Sequence, residues 1–139
     1  MSLVPKGAHM SNYVEIRKAN WEYYNMILSL NGCITNSRKR AQKFGWEFDL
    51  TLPQVVAVWI EQKGLCYDSG LILDYQSGTP SQKNPRKVSI DREENNRGYV
   101  MDNIRLVTHW NNNAKSTYDE VTNNMFISET YKFKNKSST

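Results

Sequence analysis

Two short apolar runs, Val88-Ser-Ile-Asp91 and Asn103-Ile-Arg-Leu-Val107, flank the turn-forming residues Asn95-Asn-Arg-Gly98. Each run is too short for a helix, and the residues between them favour tight backbone reversal. The pattern predicts an antiparallel hairpin. A lone two-stranded hairpin is marginal in water, so another element must cover it. The stretch from Thr108 to about Lys115 is predicted to be that helix.

The rest of the chain reads as mostly helical. Tyr13, Ile16, Trp21, Tyr24, Ile27, Leu28 and Leu30 recur at roughly helical spacing, and Asn31-Gly32 predicts a stop. A second helix is expected from about Thr35 to Phe44, ending at Gly45, with Trp46 to Leu50 extended. Thr51-Leu-Pro-Gln54 carries a capping threonine, a first-turn proline and a glutamine three residues on, and so opens a further helix. Trp21 and Trp59 are expected in the core. Cys66 to Gly70 reads as a turn into Leu71-Ile-Leu73, and residues 76–85 as a loop. Thr117-x-x-Glu120 is expected to cap a last helix, and Lys132 to Thr139 to be disordered.

The expected fold class is α+β. Residues 1–10, with Leu3-Val-Pro-Lys-Gly-Ala-His-Met10, look like an expression tag and are set aside. A helical region (11–64), a hairpin–helix core (65–118), and a C-terminal helix with its tail (119–139) follow.

The chain has 18 Lys+Arg against 14 Asp+Glu, a net charge of +4 that tolerates a polyanionic partner without demanding one. Placement says more. Arg38-Lys39-Arg40 with Lys43 form one cluster, Lys83, Arg86 and Lys87 a second, and Arg92, Arg97 and Arg105 surround the hairpin. With Lys115, the candidates for touching nucleic acid are Arg38, Lys39, Arg40, Arg97 and Arg105. The two cysteines, Cys33 and Cys66, cannot build a disulfide framework or a four-cysteine zinc site. Without a secretory signal or a long apolar stretch, a soluble cytoplasmic protein with no membrane partner is expected.

Asp91 ends the first run, Asn103 opens the second, and Asn112 lies nine residues further on. Phosphodiester hydrolysis with one hard cation needs oxygen ligands, open positions for water and substrate, and a group to order the attacking water. Asp91 and Asn112 suit the ligand role. Two protein ligands leave Mg²⁺ or Mn²⁺ largely hydrated, as Mg²⁺ prefers. Asn103 can bond the loop backbone in both directions through its amide. Taken singly, Asp91 reads first as a turn or cap acid and Asn112 as a solvated amide in the Asn111-Asn-Asn113 run; their joint spacing is what points to a site.

The string Ser89-Ile-Asp-Arg92, Gly98-Tyr99, Asn103-Ile-Arg-Leu-Val107 and Asn112-Asn-Ala-Lys115 resembles the HNH endonucleases of the ββα-metal fold, in particular short phage-type members. The likeness extends upstream through Arg40-Ala-Gln-Lys-Phe-Gly45, Phe48-Asp-Leu-Thr51 and Cys66-Tyr-Asp-Ser-Gly70, covering about 38–120. It implies a ββα-metal hairpin–helix core with added terminal helices, cutting double-stranded DNA in a homing, packaging or restriction setting. It implies one Mg²⁺ or Mn²⁺ on Asp91 and Asn112, with Asn103 organising the loop.

Two positions depart from the family. Paired cysteine knuckles are replaced by Ser69, Thr108 and Asn111 beside Cys66, so no structural zinc is expected. The usual histidine base is replaced by Arg92, which cannot accept a proton. Arg92 is instead expected to clamp the phosphate. His109, Tyr99 and Tyr67 stay open as groups ordering the water. A catalytically impaired DNA-binding module, or a nuclease of RNA or branched DNA, is the alternative. Oligomeric state stays open, a homodimer included.

Overall fold

The computed structural model describes residues 10–136, so the proposed tag lies outside the described residues apart from Met10, and the end of the tail after Lys136 also does. The chain runs α1 (Met10–Phe44), α2 (Leu52–Glu61), β1 (Val88–Arg92), β2 (Ile104–Thr108), α3 (His109–Thr117) and α4 (Glu120–Asn135). The fold is α+β, with the two strands antiparallel.

Where two N-terminal helices were expected, one 35-residue helix is found. Gly32 does not stop it, because α1 has something to pack on at both sides of that point. Met26, Leu30, Cys33, Ile34 and Ala41 are buried on one stripe that continues through residue 32. Tertiary burial outweighs the roughly 1 kcal/mol that an internal glycine costs. The true stop is Gly45, whose φ of +70° suits a residue without a Cβ. Trp21, expected in the core, is 66 % exposed; among the described side chains of α1 the buried stripe begins at Met26. Trp59 does pack against the core.

At the start of α2, Thr51 donates through its N–H and hydroxyl to Gln54 Oε1, at 3.2 and 2.8 Å. Val55 and Val56 of this helix meet Leu30, Leu106 and Val107 in the same core. Just beyond α2, Gln62 takes the place of a third strand. Its Oε1 accepts from Leu106 N and its Nε2 donates to Leu106 O, at 3.0 and 2.9 Å. That satisfies a backbone pair on the open edge of β2.

The register pairs Val88 with Thr108 and Asp91 with Arg105. Thr108 caps α3 by accepting from Asn111 N at 3.1 Å. The cap of α4 is Asp119 rather than Thr117, and its carboxylate accepts from Thr122 N at 2.7 Å. That N–H bond holds the Asp119 carboxyl below its ordinary pKa. The helix then continues to Asn135, so the region expected to be disordered from Lys132 is helical at its start. No helix among the described residues is long and apolar enough to cross a membrane.

Candidate functional site

One buried side chain ties the two ends of the hairpin loop together. Asn103 is 1 % exposed and faces the loop that joins β1 to β2. Its Oδ1 accepts from Glu94 N at 2.8 Å, and its Nδ2 donates to Glu94 O and Gly98 O at 3.1 and 2.9 Å. Its backbone carbonyl accepts from Glu93 N as well. An amide is suited to this because it carries an acceptor and two donors on one rigid plane.

The loop is also stitched to the segment after α1. Tyr99 N donates to Glu47 O and Asp49 N to Tyr99 O, at 2.9 and 3.0 Å, across a parallel bridge between Phe48 and Tyr99. Gly98 makes this approach possible. A Cβ at that position would collide with Glu47 O and lie 2.7 Å from Glu47 N. Both are backbone atoms, so no side chain can swing aside. Gly98→Ala is therefore expected to destabilise the protein by about 3 kcal/mol, the upper part of the overpacking range. The urea midpoint reads this directly, and an unchanged midpoint would rule out the close approach.

Once the loop is fixed, Asp91, Arg92 and Asn112 come to one place. They line a cavity of about 200 Å³ with Arg40, Asn95 and Tyr99. Asp91 is 7 % exposed, and its Oδ2 accepts from Arg105 Nε at 3.1 Å across the strand pair. Asn112 reaches the cavity from α3, where its Nδ2 donates to Ser89 Oγ at 2.7 Å. With the amide nitrogen committed, Oδ1 is the Asn112 atom left to meet a cation or water. The donor set is thus two hard oxygens, one anionic and one neutral, in a space with room for water. This fits a hydrated divalent cation of the Mg²⁺ class.

Arg92 is built into the wall. Its Nη1 donates to Asn95 O and Arg97 O, both at 2.8 Å, and its guanidinium lies 3.5 Å over the Trp46 ring. The stacking fixes the plane of the cation beside the cavity.

The basic residues expected to meet nucleic acid separate into groups. Arg40 lines the cavity, while Arg38 and Lys39 are exposed on the same stretch of α1, with Arg38 stacked 5.2 Å over Phe48. Arg97 is paired with Asp102 at 2.6 Å and with Glu94 at 3.8 Å. Arg105 pairs with Asp91 and, at 3.8 Å, with Asp68, and stacks over Tyr67. Burial works against the Arg105 charge, but the Asp91 hydrogen bond and the nearby acids outweigh it and hold the guanidinium above its ordinary pKa. Arg105 is thereby an orienter of Asp91 rather than an outward-facing cation. The Lys115 side chain lies outside the described residues.

Cys66, Thr108 and Asn111 are tied to one another by hydrogen bonds. Thr108 N donates to Cys66 Sγ at 3.3 Å, Cys66 Sγ to Asn111 Oδ1 at 3.6 Å, and Thr108 Oγ1 to Asn111 Oδ1 at 2.6 Å.

Of the three groups left open for ordering water, Tyr99 alone lines the cavity with Asp91 and Asn112. His109 faces Asn113 Nδ2 through its Nε2 at 3.1 Å, and Tyr67 is largely exposed beneath Arg105. Ser89, Trp46 and Gln62 were not expected to matter. For Ser89 the signal was present, since it lies two residues from Asp91 on one strand. For Trp46 and Gln62 no local pattern exists, because their partners lie 46 and 44 residues away. Compared with known proteins, the chain matches no family model, no curated protein and no solved structure.

Proposed function

We propose that this protein is a metal-dependent endonuclease of the HNH, ββα-metal type that hydrolyses a phosphodiester bond in duplex DNA. One observation carries the reading. A strand-end carboxylate and a helix amide, Asp91 and Asn112, share a cavity with the cations Arg40 and Arg92. Oxygen ligands for a hard cation and guanidinium groups for a phosphate are what phosphoryl chemistry requires in one place.

Asp91 and Asn112 would hold Mg²⁺ or Mn²⁺, which when bound supplies charge neutralisation at the leaving oxygen. Arg105 fixes the Asp91 carboxylate, and Ser89 fixes the Asn112 amide, so both oxygens are oriented in advance. Arg40 supplies positive charge for the incoming phosphate. Arg92, planar against Trp46, faces the charge that develops on the phosphoryl oxygens. Tyr99 orders the attacking water, a role its place in the cavity wall supports.

A second reading has its own observation. The Arg105 bond occupies an oxygen of Asp91, and Arg92 cannot serve as a base. Both suit a DNA-binding module without catalysis. Supercoiled plasmid incubated with Mg²⁺ or Mn²⁺, and in parallel with chelator, separates the two. Conversion to nicked or linear DNA is expected with metal alone, and should disappear in Asp91→Ala. Binding without cleavage under either metal overturns the nuclease and leaves the module. RNA and branched DNA run beside the plasmid identify any other preferred substrate.

A further inference from the structure

A second cavity, of about 520 Å³, adjoins the first and shares Arg40, Ile90 and Tyr99 with it. One wall is a face of α1 carrying Asn25, Ser29, Gly32, Asn36 and Arg40, spaced three or four residues apart. The facing wall carries Lys87 and Ser89. Ser89 joins the two spaces, because its hydroxyl accepts from Asn112. No acidic residue lines the cavity among the described residues.

Lys87 is the unusual group here. Its ammonium, part-buried, meets Ser29 Oγ at 2.7 Å, Val88 O at 3.5 Å and Cys33 Sγ at 3.8 Å. All three are neutral acceptors. Burial raises the Cys33 pKa against the pull of Lys87, so the sulfur stays a thiol and does not neutralise the lysine. Asp74, bridged to Lys87 through the backbone, is near enough for the two charges to attract, but its carboxylate accepts from Gln76 N and Asn84 Nδ2 and makes no direct ion pair with Lys87. Among the described residues no carboxylate is in direct contact with this part-buried cation, so an arriving anion would gain a charge-assisted hydrogen bond from it.

We propose that this cavity is a subsite for the strand being cut. It seats the nucleotide next to the scissile phosphate, with Lys87 and Arg40 on the flanking phosphates and the Ser29 and Asn36 side chains hydrogen-bonding the backbone. The inference rests on the nuclease reading above. The space is of the order that takes one small organic ligand, roughly 300–1,000 Å³. It therefore accommodates one or two nucleotides of a single strand and excludes a whole duplex.

The test measures binding of a labelled DNA duplex in chelator over a range of salt concentrations. Lys87→Met is expected to lower the slope of log affinity against log salt by about 1, the signature of one lost phosphate contact. Lys132→Met, on the exposed face of α4 and paired with Glu129, should leave it unchanged. Gly32→Trp tests the cavity by filling it, independently of whether Lys87→Met folds. A Cβ at Gly32 meets nothing within 4 Å, and replacing a mid-helix glycine favours the helix. This variant should melt no lower than wild type and cleave plasmid at least tenfold more slowly. An unchanged salt slope in folded Lys87→Met, or wild-type cleavage by Gly32→Trp, overturns the subsite while the nuclease stands. A wild-type protein that neither binds nor cuts DNA overturns both.

Discussion

Replacing Asn112 by alanine is expected to lower DNA cleavage on the order of 10²–10³-fold, the range seen when one preorganised electrostatic group is lost. Affinity for DNA in chelator should hardly change. The reason is a division of labour. Affinity for nucleic acid comes chiefly from cations meeting phosphates, and Asn112 carries no charge. Its contribution is a single oxygen, oriented by the bond from its Nδ2 to Ser89. The structural cost of removing that bond is modest, about 1 kcal/mol for an exchange with water. A cleavage assay on plasmid, paired with a binding titration, separates the two effects. Asn112→Asp retains an oxygen at the same reach, and should keep part of the rate although it loses the donor to Ser89. Wild-type cleavage by the alanine variant would remove Asn112 from the ligand set.

Much of the hairpin–helix unit was legible because its signals are local. The turn residues, the short apolar runs of β1 and β2, and the threonine at the start of α3 all act within a few positions. The capping pair Thr51 and Gln54 is local too, and the expected helix start agrees with the observed one. What failed was judged from local signals that distant packing overrode. Gly32 is a poor helix residue in isolation, yet the stripe from Met26 to Ala41 finds a core along its whole length. Trp21 is apolar, but among the described residues nothing buries α1 at that height.

The site divides in the same way. Asn103 could be assigned to the loop because its partners, Glu94 and Gly98, lie only nine and five residues before it. The fate of the arginines could not be read. Arg105 turns inward because the register sets it opposite Asp91 and the loop after α2 brings Asp68 alongside. Arg92 stacks on Trp46 because the segment after α1 crosses behind the loop. Each of these facts depends on segments far apart in the chain, and a count of positive charges carries none of them.

Asn103→Ala should be the most destabilising single change in the hairpin, by about 3–4 kcal/mol. Three hydrogen bonds disappear, and a buried polar group left unsatisfied costs about 1–3 kcal/mol. The three losses do not simply add. Glu94 is exposed, so water can reach its N–H and carbonyl, whereas the bond to Gly98 O is buried. Asn103→Asp makes the physical cause visible. The introduced side chain keeps an oxygen for Glu94 N, but sets a second oxygen against Glu94 O and Gly98 O, where donors stood before. Ionised, it places an anion against two carbonyls in a site that is 1 % exposed. Its pKa in the folded state must therefore rise above the unfolded value. The sign of the linkage follows. The folded state binds the proton more tightly, so the variant is relatively more stable below its unfolded pKa and loses that advantage as pH climbs through the raised folded pKa. At neutral pH Asn103→Asp should be at least as unstable as Asn103→Ala, and on acidification the gap between it and wild type should narrow. Urea midpoints measured across pH for the three proteins decide this. A pH-independent difference between Asn103→Asp and wild type would mean that the side chain is hydrated, and that Asn103 is not the buried staple of the loop.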